Sequence, residues 1–191
     1  WMGRCPQCGE WNTLVEEIIK ETKHSRTPSR GVGNQTTKPT ALPGIEISSI
    51  TRVSTTFGEI DRVLGGGIVP GALMLLGGDP GIGKSTLLLQ VSQKVADTVG
   101  TVLYASGEES QLQLKLRAER LHINSERLQV IADTDLDYIL EQADAMTPSL
   151  LVIDSIQTMY TGDIDAAPGS VSQVRECTSR LLRFCKERNI P

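Results

Sequence analysis

A chain of 191 residues has room for one domain and a short additional segment, and its 39% hydrophobic and 22% charged residues are ordinary for a soluble globular protein. No segment approaches the roughly 18 consecutive apolar residues of a membrane span, and the N-terminus does not resemble a signal peptide, so no membrane partner is expected. The formal net charge of −4 argues against a basic surface over the whole molecule, although a local basic patch would be enough to bind nucleic acid.

The N-terminal residues 1–17, WMGRCPQCGEWNTLVEE, contain two Trp and a C-P-x-C-G knuckle formed by Cys5 and Cys8. The other two of the four cysteines lie far away near the C-terminus. Four cysteines in this arrangement are too few for a disulfide framework, which favours a reducing, cytoplasmic location.

Residues 18–43 have a different composition, with many Ser, Thr, Gly, Pro and Asn residues and few large apolar side chains. Their charged side chains are mostly basic: Lys20, Lys23, Arg26, Arg30 and Lys38, against the single acid Glu21. A segment of this kind cannot bury enough apolar surface to fold by itself. We therefore predict a flexible basic linker.

From residue 44 onward the pattern alternates between strands and helices. Strands are predicted at 72–76, 101–106, 128–132 and 150–153, and helices at 85–96, 110–121, 135–146 and 171–188. Strands separated by helices of this length predict an α/β fold, with a mostly parallel sheet flanked by helices on both faces. The last residues, RNIP, stand where a further strand is expected to start, so we expect the sequence to be part of a longer protein.

The stretch GGDPGIGKST, residues 77–86, carries the clearest chemical signal. Its spacing fits G-x-x-x-x-G-K-[ST], in which a glycine-rich turn points successive backbone N–H groups at a phosphate. Lys84 is expected to contact the β- and γ-phosphates, and the Ser85 hydroxyl to help hold Mg²⁺. The alternative is a glycine-rich turn without a ligand, but a buried strand before the motif and a helix after it favour the nucleotide.

A nucleotide loop needs a carboxylate for its metal, and LLVIDS supplies Asp154 at the end of an apolar strand. In an open parallel sheet the ligand crevice lies beyond the carboxyl ends of the strands, so Asp154 is expected to act on Mg²⁺ through Ser85 or a water. The alternative is an Asp that caps the following turn.

Hydrolysis also requires a group that orients and polarises water. The stretch TVLYASGEES places Glu108 and Glu109 after a strand, where either carboxylate could act as general base. The alternative is that the acids and the nearby serines form a helix N-terminus. Position in the sequence does not decide between Glu108 and Glu109.

Four longer stretches, FGEIDRVLGGGIVPGALMLLGGDPGIGKSTLLLQ, LYASGEES, LVIDSIQTMY and PGSVSQVREC, resemble the RadA (Sms) family of bacterial DNA repair ATPases. The stretch CPQCGEWNTLVEE is similar to the end of that family's zinc ribbon. The resemblance implies a partial zinc ribbon at 1–17 and a RecA-like P-loop NTPase core at 44–191, incomplete at its C-terminal end. The family's K-N-R-F-G motif and its Lon-protease-like domain do not occur in these residues.

The resemblance also implies roles for individual residues. Lys84 and Glu108 would be catalytic, with Glu108 as the base, while Ser85 and Asp154 would hold Mg²⁺. The nucleotide would be held by the whole loop: Gly78, Asp79, Pro80, Gly81, Ile82, Gly83, Lys84, Ser85 and Thr86. The loop from Thr161 to Ser170 occupies the place of a DNA-facing loop; it lacks Lys and Arg, so contact would involve its backbone and Gln173 or Arg175.

For zinc, the family's ribbon has four cysteines, and this sequence supplies only Cys5 and Cys8, which is half of a tetrahedral Zn²⁺ site. Cys177 and Cys185 lie about 12 Å apart along a predicted helix, too far to share one metal, and serve as small core residues. A redox C-x-x-C remains the alternative for Cys5 and Cys8, without a thioredoxin-like pattern around it.

The function implied by the resemblance is a DNA-dependent ATPase of recombinational repair, which moves on single-stranded DNA and promotes branch migration. Its implied partners are single-stranded DNA, recombination intermediates and a RecA-type recombinase, and its implied assembly is a homohexamer. Two alternatives stay open: a KaiC-like signalling ATPase that DNA does not stimulate, and a passive nucleotide-binding module with negligible turnover.

Overall fold

The computed structural model describes residues 39–44 and 51–191. The chain divides into two compact units, Trp1–Glu46 and Ile47–Pro191. Within the first unit the described residues include a short 3-10 helix at Leu42–Gly44. The second unit holds the sheet, the longer helices and the glycine-rich loop.

The described part of the second unit is built on three parallel strands: β1 (Val102–Ser106), β2 (Leu128–Ala132) and β3 (Leu150–Asp154). Their order is β2-β1-β3, so β1 is the central strand. The register pairs Ser106, at the end of β1, with Ala132 on one side and Asp154 on the other. The carboxyl ends of all three strands therefore lie level at one edge of the sheet.

Within residues 51–191, five α-helices accompany this sheet: α1 (Gly58–Val63), α2 (Lys84–Thr98), α3 (Gln111–Arg120), α4 (Leu136–Met146) and α5 (Val171–Arg188). Side chains alternate across the sheet because successive residues of a strand point to opposite faces. Val102 and Tyr104 of β1 pack in one core with α2 and α3. Ala105 of the same strand packs in a second core with α4 and α5. The expected helices on both faces are thus confirmed.

Side chains at the helix N-termini explain where three of the helices begin. Ser110 forms a capping box with Gln113 at the start of α3. The Asp135 carboxylate accepts two backbone N–H bonds at the start of α4, and the Ser170 hydroxyl accepts one at the start of α5. Each cap satisfies donors that have no partner inside the helix, and so fixes the first residue.

The strand predicted at 72–76 is not formed, which corrects the sequence-based expectation. Within the described residues this segment has no ladder partner, and its apolar side chains are exposed: Leu73, Met74, Leu75 and Leu76, by 38 to 86%. An apolar run predicts a segment that can be buried, but a strand also requires a hydrogen-bonding neighbour. On β3, the Leu151 N–H instead donates to the carbonyl oxygen of Pro191, at 2.9 Å, and not to any residue of 72–76.

None of the helices in the described ranges is both long enough and apolar enough to cross a membrane.

Candidate nucleotide-binding site

The glycine-rich loop leads directly into helix α2, whose N-cap is Gly83. Gly83 has φ 106° and Gly81 has φ 77°, conformations that side-chain-bearing residues adopt only with strain. No side chain caps the helix, so the backbone N–H groups of its first turn are left for an external acceptor. A helix N-terminus of this kind favours phosphate through its N–H groups and its partial positive charge.

The ammonium of Lys84 binds the loop that precedes it. Its Nζ donates to the carbonyl oxygens of Gly78 at 2.7 Å and Asp79 at 2.9 Å. The loop therefore curls around a positive charge, and phosphate oxygens would offer the same ammonium stronger, charged acceptors. Ile82 is largely exposed beside it, while Ser85 and Thr86 lie half-buried in the first turn of α2.

Asp154 is the last residue of β3, and one of its carboxylate oxygens has a protein partner. The Tyr104 hydroxyl donates to Asp154 Oδ2 at 2.5 Å. Tyr104 is fully buried, and burial raises the pKa of its phenol, with the hydrogen bond to Asp154 and the charge of Asp154 acting in the same direction.

The residues expected to hold Mg²⁺ have suitable chemistry for it. The Ser85 hydroxyl and the Asp154 carboxylate are the hard oxygen ligands that this ion prefers. Among the described residues no hydrogen bond is donated to Asp154 Oδ1, so one carboxylate oxygen remains for a metal or its water. Ser85 and Asp154 also belong to elements that share a core, because α2 packs on the face formed by β1 and β3.

Glu108 lies beside the end of β3. The Ser155 hydroxyl, from the residue after Asp154, donates to Glu108 Oε1 at 2.9 Å. The Gly107 N–H donates to the Asp154 carbonyl oxygen at 3.0 Å, which continues the pairing of β1 and β3 past their last residues. The structure thus brings Glu108 and Asp154 together at the carboxyl edge of the sheet, with Glu108 exposed to solvent.

Glu109 is committed to a different contact. Its carboxylate accepts a bond from Arg117 of α3 at 2.7 Å, and both side chains are only about a quarter exposed. Its backbone N–H donates to the Ser106 hydroxyl at 3.0 Å. Glu109 therefore ties the end of β1 to α3, and the geometry favours Glu108 as the carboxylate available to water.

Sequence reasoning missed three residues of this edge: Tyr104, Gly107 and Ser155. Gly107 is needed for space, because a Cβ there would lie 2.0 Å from Thr158 Oγ1. The signal for Tyr104 was present in the sequence, since a phenol inside an apolar strand requires a polar partner. Ser155 and Gly107 carried no comparable signal, because their contacts depend on the register of two distant strands.

The expected role of Gln173 in contacting DNA is wrong, because Gln173 is buried with only 1% of its surface exposed. Its Nε2 donates to the carbonyl oxygens of Thr161, Ile164 and Ala166, and its Oε1 accepts from the Thr161 N–H. Gln173 thus holds the loop from inside. Arg175, in contrast, is exposed.

Cys5 and Cys8 lie outside the described residues. Cys177 and Cys185 are free and buried in α5, and burial raises the pKa of both thiols. In the ranges that the structure describes, no group of three or more His, Cys, Asp or Glu side chains could hold a metal ion.

Two family models match the sequence. Residues 41–191 match the AAA domain family, and residues 1–16 match the rubredoxin metal binding domain. Together with the glycine-rich loop and the parallel sheet, these matches define the class: the chain belongs to the AAA domain family, with a P-loop ATPase domain preceded by a rubredoxin-like zinc ribbon.

The chain is a homologue of bacterial proteins named DNA repair protein RadA. Over the full length of this chain, the sequence is 55% identical to the protein of Bacillus subtilis, 53% identical to that of Listeria monocytogenes and 48% identical to that of Streptococcus pyogenes. It spans 41 to 42% of the length of these relatives.

Proposed function

We propose that this chain is the ATP-hydrolysing part of a DNA repair motor that moves on single-stranded DNA and promotes branch migration of recombination intermediates. The observation that carries the catalytic part is a pair of features on elements that share one core: a phosphate loop closed around Lys84 before α2, and a sheet edge where Asp154 ends β3 and the next residue, Ser155, donates to Glu108. The DNA part is supported by the names of the relatives.

Binding begins with an exchange of partners at Lys84. The phosphates of ATP replace the Gly78 and Asp79 carbonyl oxygens as acceptors for its ammonium, while the N–H groups at the start of α2 hold the same phosphates. The loop of residues 78–86 forms the nucleotide-binding segment. This exchange offsets part of the phosphate charge and helps to position the γ-phosphoryl group for attack.

Glu108 then acts on the attacking water. Ser155 fixes one carboxylate oxygen of Glu108, and the exposed side chain can accept a proton from a water bound beside it. That water attacks the γ-phosphorus, the bond to the β-phosphate oxygen breaks, and ADP and phosphate are released. Ser85 and Asp154 would hold Mg²⁺, which supplies charge neutralisation at the phosphates when it is bound.

The ribbon is proposed to hold Zn²⁺ through Cys5 and Cys8, in line with the match of residues 1–16 to a metal binding domain. Structural zinc takes four ligands. Because the thiols of Cys177 and Cys185 are buried in α5, the two ligands besides Cys5 and Cys8 must be other residues.

We propose three segments in order along the chain: a ribbon at 1–17, a basic linker at 18–43 and the ATPase core at 44–191. We further propose a homohexameric ring as the working assembly and a RecA-type recombinase as a partner. The support for DNA contact within the core is the exposed Arg175 at the start of α5.

The experiment that tests the function is steady-state ATP hydrolysis by the intact protein, including any sequence that flanks these 191 residues, with and without single-stranded DNA. Lys84→Ala removes the ammonium that the loop surrounds, and we expect it to abolish most nucleotide binding and turnover. Lys115→Ala, which removes an exposed lysine of α3, is the matched control and should leave turnover unchanged.

Turnover that rises with DNA and disappears in Lys84→Ala would support the motor. Turnover indifferent to DNA would overturn the DNA-dependent part and favour a signalling ATPase. Nucleotide binding with negligible turnover in every condition would leave only a passive nucleotide-binding module.

A further inference from the structure

Tyr104 occupies an unusual position for a polar side chain. It lies in the middle of the central strand β1, is fully buried, and packs in the core between the sheet and α2. Its strand neighbour on β3 is Val152, and Asp154 follows two residues later on the same face of the sheet. Diagonal neighbours on paired strands lie within reach of an aromatic side chain, and here the hydroxyl reaches the carboxylate.

The contact is specific to one oxygen of one residue. The hydroxyl donates to Asp154 Oδ2 at 2.5 Å. Among the described residues no other side chain donates a hydrogen bond to this carboxylate. Removal of the phenolic hydroxyl would therefore leave both carboxylate oxygens of Asp154 without a side-chain donor from the described region.

We propose that Tyr104 is a positioning residue for the proposed hydrolysis: its hydroxyl fixes Asp154 Oδ2 and thereby reserves Oδ1 for Mg²⁺ or its bound water. This inference rests on the proposed function, because it concerns the same site. Tyr104 itself does not touch the nucleotide; it acts through the orientation of Asp154. A carboxylate that is held at one oxygen loses less conformational freedom when its other oxygen binds a metal ion or a metal-bound water.

The test is Tyr104→Phe in the intact protein, with Tyr138→Phe as the matched control. Tyr138 is an exposed tyrosine of α4. Two quantities are measured against Mg²⁺ concentration: binding of a fluorescent, non-hydrolysable ATP analogue, and steady-state hydrolysis. Binding of the same analogue in EDTA reports affinity without the metal, and thermal unfolding reports stability.

We expect Tyr104→Phe to raise the Mg²⁺ concentration at half-saturation by about 3- to 10-fold, because the freed carboxylate must then be ordered when the metal binds. Binding in EDTA should not change, and saturating Mg²⁺ should restore kcat to within about twofold, because the metal then selects the same carboxylate orientation. Tyr138→Phe should match the wild type in all measurements.

An unchanged Mg²⁺ half-saturation, with or without a lower melting temperature, would overturn the inference and leave Tyr104 a packing residue. A double-mutant cycle with Asp154→Asn adds an independent criterion: a positioning role predicts that Tyr104→Phe has no further effect on Mg²⁺ dependence in the Asn background, and additive effects would refute it. If the wild type does not hydrolyse ATP, the proposed function itself is wrong, whereas normal Mg²⁺ dependence of Asp154→Asn would overturn the metal role of Asp154 and with it this inference alone.

Discussion

At the scale of single residues, the two adjacent glutamates have opposite surroundings. Glu108 is exposed and held by Ser155, whereas Glu109 is paired with Arg117 and mostly shielded from solvent. Nothing in the sequence SGEES distinguishes the two glutamates. Only the pairing of β1 with β3 and the packing of α3 distinguish them, and both depend on contacts between residues far apart in the chain.

This difference predicts a separation of effects. We expect Glu108→Gln to lower kcat by about 100- to 1,000-fold with nucleotide affinity unchanged, because it removes the proposed base. Glu109→Gln should instead lower the free energy of unfolding by about 1 kcal/mol, since its ion pair with Arg117 is a partly exposed one. Single-turnover hydrolysis and urea unfolding measure the two quantities, and a reversal of the two effects would identify Glu109 as the base.

Gly107 gives a second prediction at this scale. We expect Gly107→Ala to lower the free energy of unfolding by about 1–3 kcal/mol, because the new Cβ would overlap the Thr158 side chain. Turnover should fall as well, since any shift of residue 107 moves Glu108. Gly162→Ala is the control, as nothing lies within 4 Å of a Cβ at that position. Equal stability of the two variants in urea would show that the contact with Thr158 relaxes without cost.

At the scale of elements, helix α5 organises the loop that precedes it. Gln173 holds Thr161, Ile164 and Ala166 by their backbone carbonyl oxygens. Arg180 adds ion pairs to Asp163 of the loop and Asp137 of α4. Helix α5 thus holds the preceding loop at several points along its length.

We therefore expect Gln173→Ala to lower the free energy of unfolding by about 1–3 kcal/mol, because it leaves buried carbonyl groups without a donor. Limited proteolysis should then cut within residues 161–169, while Ser179→Ala, an exposed change on the same helix, should leave the loop protected. Resistance of the Gln173→Ala loop to protease would mean that its remaining contacts, the ion pair of Arg180 with Asp163 and the bond from the Thr161 hydroxyl to Asp137, are enough to maintain it.

Sequence patterns predicted most elements within one or two residues, including β2 at 128–132 and α5 at 171–188. They succeeded where hydrophobic periodicity and a local cap agree, as at Ser170 before α5. They failed at 72–76, where the composition indicates a buried strand but formation depends on a partner that composition cannot reveal. The glycine-rich loop was predictable because its geometry is local, whereas the contacts of Tyr104 and Gln173 were not.

At the scale of the whole molecule, the two buried thiols of α5 allow a test of the core. Burial raises the pKa of Cys177 and Cys185, so their reactive thiolate forms only at higher pH than in an exposed cysteine. We expect both to react slowly with Ellman's reagent at pH 7–8 in the folded protein and rapidly in urea. Rapid reaction of Cys177 and Cys185 before unfolding, identified by peptide mapping, would contradict the buried positions.

The exposed run Leu73–Leu76 has a thermodynamic consequence for the loop that follows it. Its amides have no ladder partner among the described residues, so they should exchange with solvent deuterium much faster than those of β1. By reciprocity of linked equilibria, a segment that pairs with the run and thereby raises nucleotide affinity would itself be bound more tightly, by the same factor, when nucleotide is present.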